Sequence, residues 1–190
     1  MPVEDRPQHV EDVIELLLGQ HMLIRELFVE VQSSTGEARS EAFARLVRLL
    51  AVHETAEEEV VHPLARRHID GGEQVVEDRL REEREAKEVL ARLEGMDHDS
   101  AEFESTFAKL RQSVLEHAHH EEVYEFRYLR GHYDAERLRK LATQVRAAEK
   151  AAPTHPHAGL ESATGNLAAG PVVAMYDKAK DAMRGMSRSD

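Results

Sequence analysis

His53-Glu54-Thr55-Ala56-Glu57-Glu58 and, further along, His117-Ala118-His119-His120-Glu121-Glu122 share one form, His-x-x-x-Glu-Glu, with neither Pro nor Gly inside. Each follows apolar residues at helical spacing, and on a helix residues four apart lie on one face. His53 therefore points the same way as Glu57, and His117 the same way as Glu121. The stripe through the first pair reads Leu46, Leu49/Leu50, His53, Glu57, Val60, Leu64. The stripe through the second reads Phe103, Phe107, Leu110, Val114, His117, Glu121, Tyr124. Both polar pairs fall where a core belongs. Imidazoles and carboxylates are costly to bury unless they are paired or hold a metal. One such pair is compatible with a core salt bridge; two that match each other point to a metal centre.

Working outward, the same period defines the rest of the chain. A first helix is expected over about 9–31, with the stripe Val10, Val13/Ile14, Leu17, His21, Ile24, Phe28, Val31 and His21 at its middle. Ser33-Ser34-Thr35-Gly36 ends it. The second helix spans about 40–67, with Ser40 as N-cap and Pro63 expected to kink or loosen its last turns. After Asp70-Gly71-Gly72 a third helix runs over about 73–94, its stripe Val76, Leu80, Glu83, Ala86/Lys87, Leu90, Leu93 carrying a carboxylate at a core position. A fourth covers about 101–130, closed by Gly131. The two halves repeat one design, a lone polar residue on the first helix and a His-x-x-x-Glu pair on the second. The expected fold is all-α, an up-down four-helix bundle over 9–149 with a short fifth helix capped by Asp134. Residues 150–190 read as a linker, with His155 and His157 as linker residues, and a tail. Within it 171–184 is helix-like, as a mobile tail or a docking segment for a protein partner.

Composition narrows the function. A hydrophobic content of 41% with 33% charged residues describes a globular chain, and a net charge of −12 argues against nucleic acid as partner. With no cysteine, disulfides, thiolate metal sites and cysteine catalysis are excluded. No run approaches the ~20 apolar residues of a membrane span, and the polar start lacks an apolar signal core. A cytoplasmic setting is the expectation.

The inward-facing polar residues are His21, His53, Glu57, Glu83, His117 and Glu121. Imidazoles and carboxylates without thiolate suit iron, and manganese after it, better than structural zinc. The number of donors suits two ions bridged by carboxylates and a water-derived oxygen, with Glu57 and Glu121 as the bridges. For Glu83 the dense run Glu82-Glu83-Arg84-Glu85 leaves a solvated face open as the other reading. Glu58 and Glu122 read as acceptors beside the ligands or as surface charges. His62, His119 and His120 lie off the stripe and are expected to be exposed, and Tyr124 is expected to pack in the core rather than serve as a phenolate ligand.

His21, His53-x-x-x-Glu57 with Glu58 and Pro63, and His117-x-x-x-Glu121 with Glu122 together resemble the hemerythrin-like (HHE cation-binding) family. Ferritin-like di-iron bundles use Glu-x-x-His, the reverse order and a shorter spacing, so ferroxidase or storage chemistry ranks lower. The resemblance implies an oxo- or hydroxo-bridged non-heme di-iron centre that binds or reacts with oxygen, peroxide or nitric oxide in a stress or redox role. It also implies that Glu83 stands where the family usually has a histidine. A third carboxylate favours ferric iron and turns the expectation from reversible oxygen carriage towards sensing, peroxide or nitric-oxide chemistry. The alternative is a redox-sensing or regulatory binding module without turnover; whether the chain is an enzyme is left open by the sequence.

Overall fold

The structure, a computed structural model, describes residues 11–152. The elements are α1 (Val13–Ser33), α2 (Gly36–His68), α3 (Gly72–Glu94), α4 (Ala101–His120), a π-helical segment (Glu121–Phe126), α5 (Arg127–His132) and α6 (Ala135–Ala151). This is the expected all-α bundle, with α6 as the appended helix. The tail segment 171–184 and the proposed start of the first helix at His9 lie outside the described residues.

Local chemistry explains the boundaries. Asp12 caps α1 by accepting from the Ile14 and Glu15 amides at 2.9 and 3.0 Å, and the Glu15 carboxylate accepts from the Asp12 amide. This reciprocal box satisfies donors that a helix start otherwise leaves unpaired. Ser100 and Asp134 cap α4 and α6 one way, their side chains accepting from the Phe103 and Arg137 amides. The expected cap at Ser40 is wrong. Helix α2 starts a turn earlier after Thr35, and the Ser40 hydroxyl lies against the Gly36 carbonyl and the His98 ring instead. Helix α2 also runs on through Pro63 to His68. The turn into α3 demands glycine: Gly71 has φ of +71°, and a Cβ on Gly72 would sit 2.3 Å from the Ala65 carbonyl oxygen.

Short connections make sequence neighbours antiparallel. Helix α1 packs on α2, α2 on α3, α3 on α4 and α4 back on α1, while α6 lies against α1 and α2. Helix α2 is thus covered on three sides. The apolar interior falls into two clusters. One, around Phe28, Phe43, Phe103 and Phe107, holds ring centroids 5.2–6.0 Å apart, each such pair stabilising by about 0.5–1.5 kcal/mol beyond area burial. The other, around Ile14, Leu17, Phe126, Leu129 and Leu141, joins α6 to the bundle. A layer of buried polar side chains lies between them. No helix among the described residues is long and apolar enough to cross a membrane.

The fourth helix departs from expectation at one point. From Glu121 to Phe126 it widens to π winding, in which hydrogen bonds close over five residues rather than four. The wider turn carries Tyr124 off the core face, leaving it 58% exposed, and brings Phe126 inward against the His21 ring, while Glu125, four after Glu121, is buried beside it. Tyr124 therefore packs not in the core but beside the His120 ring, with 6.3 Å between centroids.

Candidate metal centre

The buried layer takes its donors from four helices. His21 (α1), His53 and Glu57 (α2), Glu83 (α3), His117 (α4) and Glu121 (the π segment) are all buried. The structure brings His21, His53, Glu57 and Glu121 together, one donor atom of each lying within 4.8 Å of the others. His62, Glu83 and Glu121 form a second such group. Glu121 belongs to both: its Oε2 lies 3.4 Å from His21 Nε2 and its Oε1 3.3 Å from His117 Nε2. Glu57 enters only the first group, with Oε2 3.2 Å from His53 Nε2.

Outer partners fix the rings. His53 Nδ1 meets Gln20 Oε1 at 2.7 Å, and the Gln20 amide nitrogen in turn donates to Glu149 on α6. His21 Nδ1 meets Glu122 Oε1 at 2.9 Å, and Arg25 also donates to that carboxylate. His117 Nδ1 meets Glu82 Oε2 at 2.9 Å. Acceptors at Nδ1 place the proton there and turn the lone pairs of Nε2 inward, the arrangement metal-bound histidines adopt. His21 Nε2 and His53 Nε2 then face each other at 3.1 Å.

These donors fit a metal. Both oxygens of Glu57, Glu121 and Glu125, Oε2 of Glu83, and His117 Nε2 have no hydrogen-bond partner among the described residues. Buried polar atoms left so are costly, carboxylates most of all. Six carboxylates, Glu54, Glu57, Glu58, Glu83, Glu121 and Glu125, are buried in this layer beside one ammonium, Lys87. Lys87 Nζ lies 2.5 Å from Glu58 Oε1 and 4.0 Å from both Glu54 Oε2 and Glu83 Oε2. The remaining negative charge calls for cations.

The protonation equilibria of the metal-free layer carry the same strain. Burial, then the neighbouring His21, pushes the His53 ring down to about 3. Burial and the facing Glu121 hold Glu57 well above the usual carboxylate range. Burial works against Glu121 as an anion, yet His117 and His21 outweigh it and hold Glu121 well below that range. Burial would lower His117, but Glu121 beside it raises the ring well above the imidazole range.

Several expectations need correction. His62 is buried, not exposed, with Nε2 2.7 Å from Glu83 Oε1. His120 is half-buried, its Nδ1 3.8 Å from Glu82, while His119 is exposed as expected. Glu58 is no surface charge but the buried partner of Lys87, and Glu122 is the acceptor beside His21. Glu54 and Glu125 join the layer beyond the expected set, and Lys87, on the α3 stripe by its spacing, adds its ammonium. Their signal was present in the spacing: Glu54, Glu58 and His62 form a second i, i+4, i+8 stripe on α2, and Glu125 follows Glu121 by four.

Residues 12–129 match the family model described as Hemerythrin HHE cation binding domain. A "DNA nickase" of Nostoc sp. is 27% identical over 147 residues, 77% of this chain; the chain spans only 40% of that protein. An uncharacterised hemerythrin-like protein of Schizosaccharomyces pombe is 27% identical over 136 residues, 70% of this chain and 67% of its own length. The crystal structure of a hemerythrin HHE cation binding domain-containing protein from Mycobacterium kansasii superposes with a TM-score of 0.62 at 18% identity. It covers 74% of this chain and 86% of that one, a likeness of fold. With its fold, its buried His and Glu layer and the match over most of the described residues, the chain belongs to the hemerythrin HHE cation-binding family.

Proposed function

We propose that this cation-binding module holds a non-heme di-iron centre that reacts with oxygen, peroxide or nitric oxide. The observation that carries it is Glu121, whose two oxygens face different donor groups and lack hydrogen-bond partners among the described residues. His21, His53 and Glu57 would hold one ion, Glu83 and His117 the other, and Glu121 both. Iron rather than zinc suits a thiolate-free set of imidazoles and carboxylates, with manganese the less favoured choice. When bound, paired iron ions supply two one-electron steps at adjacent positions. The chain's own part is to exclude bulk water from the layer and to keep protons on the outer ring nitrogens through Gln20, Glu122 and Glu82.

Approach from solvent is also provided for. His117 is the most exposed of the six, at 9%. It lines a groove of about 500 Å³ between α3 and α4, beside Glu82, Ala86, Leu110 and Ser113. A groove of that kind admits diatomic ligands and peroxide. The strand-nicking role named for the Nostoc protein is not carried over, since a net charge of −12 opposes phosphate binding.

Counting turnovers tests the reading. Reduced, iron-loaded protein mixed anaerobically with peroxide or nitric oxide should change its visible spectrum in step with ligand consumption. Many equivalents consumed per chain mark an enzyme, and about one per centre marks a sensor. A spectrum indifferent to oxygen, peroxide and nitric oxide alike would end the proposal.

A further inference from the structure

We infer that the second ion is bound by His62, reaching from α2 to Glu83 and Glu121, with Glu125 as an added carboxylate at the same position. The inference rests on the two-ion reading above. His62 is 2% exposed. Its Nε2 lies 2.7 Å from Glu83 Oε1, and its Nδ1 lies 3.6 Å from Glu125 Oε1 without a hydrogen-bond partner among the described residues. One donor atom each of His62, Glu83 and Glu121 lies within 4.8 Å of the others.

A plain ion pair accounts for these contacts less well. One imidazolium brings a single charge to three buried carboxylates, Glu83, Glu121 and Glu125. Hydrogen bonding to Glu83 Oε1 still leaves Glu83 Oε2 and all four oxygens of Glu121 and Glu125 without a partner. A metal cation brings two or three charges and takes several oxygens at once. The neighbouring ammonium is already engaged, since Lys87 is directed at Glu58. Glu125 follows Glu121 by four residues within the π segment and is buried beside it, and π turns of this kind recur at functional sites. Nitrogen for the second position thus comes from α2 as well as from His117.

The variant that separates ligand from ion pair is His62→Gln. Glutamine keeps an N–H donor for Glu83 but is a poor donor to iron. Iron per chain is measured after anaerobic loading of the full chain, for the parent, His62→Gln and His62→Ala, with circular dichroism as a folding check. The parent should hold about two irons and His62→Gln about one, a twofold loss. His62→Ala should also hold about one, rising towards two when free imidazole is added. A folded His62→Gln protein that holds two irons overturns the inference while leaving the di-iron reading intact. A parent holding fewer than two irons overturns that reading itself. Iron-edge anomalous diffraction from the loaded parent decides without any variant. A second iron peak about 2 Å from a His62 nitrogen supports the inference. A peak on His117 with no nitrogen of His62 bound to it overturns it.

Discussion

Lys87→Met tests how the buried charge is balanced. Lys87 is 5% exposed and reaches from α3 to Glu58, Glu54 and Glu83. Methionine keeps the apolar stem and removes the ammonium. Removing one partner of a buried ion pair costs about 3–5 kcal/mol. In a chain of this size each kcal/mol moves the melting temperature by roughly 2–4 °C, so a drop of about 6–20 °C is expected. The carboxyls limit the damage by taking up protons. Burial and the neighbouring Glu83 already push Glu58 up to about 8, and burial pushes Glu54 up to about 7 against the pull of Lys87. The drop should therefore be smaller near pH 6.5 than near pH 8.5. Melting followed by circular dichroism on metal-free parent and variant at both pH values reads it out. A drop under about 2 °C, or the same drop at both, would refute the assignment of Lys87 as the internal counter-charge.

Removing the metal should make stability fall as pH rises from about 6.5 to 8.5. His62 and His117 are held above the usual imidazole range, and Glu54 and Glu58 sit at about 7 and 8, so folding retains protons that the unfolded chain releases. Of the lowered groups, Glu83 and Glu121 act only at lower pH, and His53 opposes the trend near the bottom of the window, where the raised His62 and His117 together outweigh it. A melting temperature that is flat or rising in chelator would contradict this. Gln20→Leu should weaken iron binding about 10–100-fold, because His53 loses the acceptor that orients it; unchanged affinity in a competition titration would show that Gln20 does not orient the ring. Gly72→Ala should destabilise by about 1–3 kcal/mol, since its Cβ would meet a backbone oxygen at 2.3 Å, and a neutral denaturant midpoint would count against that close approach.

The bundle was legible because four helices keep the 3.6 period and their breaks carry Gly, Ser or Asp. The burial of His21, His53, Glu57, Glu83, His117 and Glu121 was legible for the same reason, each lying on an apolar stripe. His62, Glu54 and Glu58 were not, because the stripe argument assumes a helix with one wet face. Helix α2 has none there: residues 53–58 are all buried under α1, α3 and α6, so charged residues off the main stripe are interior too. Tyr124 was misread because π winding is a tertiary outcome. Nothing in Glu121-Glu122-Val123-Tyr124 distinguishes it from an α-helical run. The cap at Ser40 failed because Thr35 and Gly36 begin the helix a turn earlier, where the Gly36 amide donates to Asp99.

The central claim is that Glu121 is shared between two iron ions. It is tested most directly by loading the full chain with iron-57 and combining elemental analysis with Mössbauer spectroscopy, for the parent and for Glu121→Ala. The parent is expected to hold about two irons per chain as a spin-coupled pair. Glu121→Ala is expected to lose the coupling and at least one iron. A single iron per chain, zinc in its place, or a coupled pair that survives Glu121→Ala would contradict the claim.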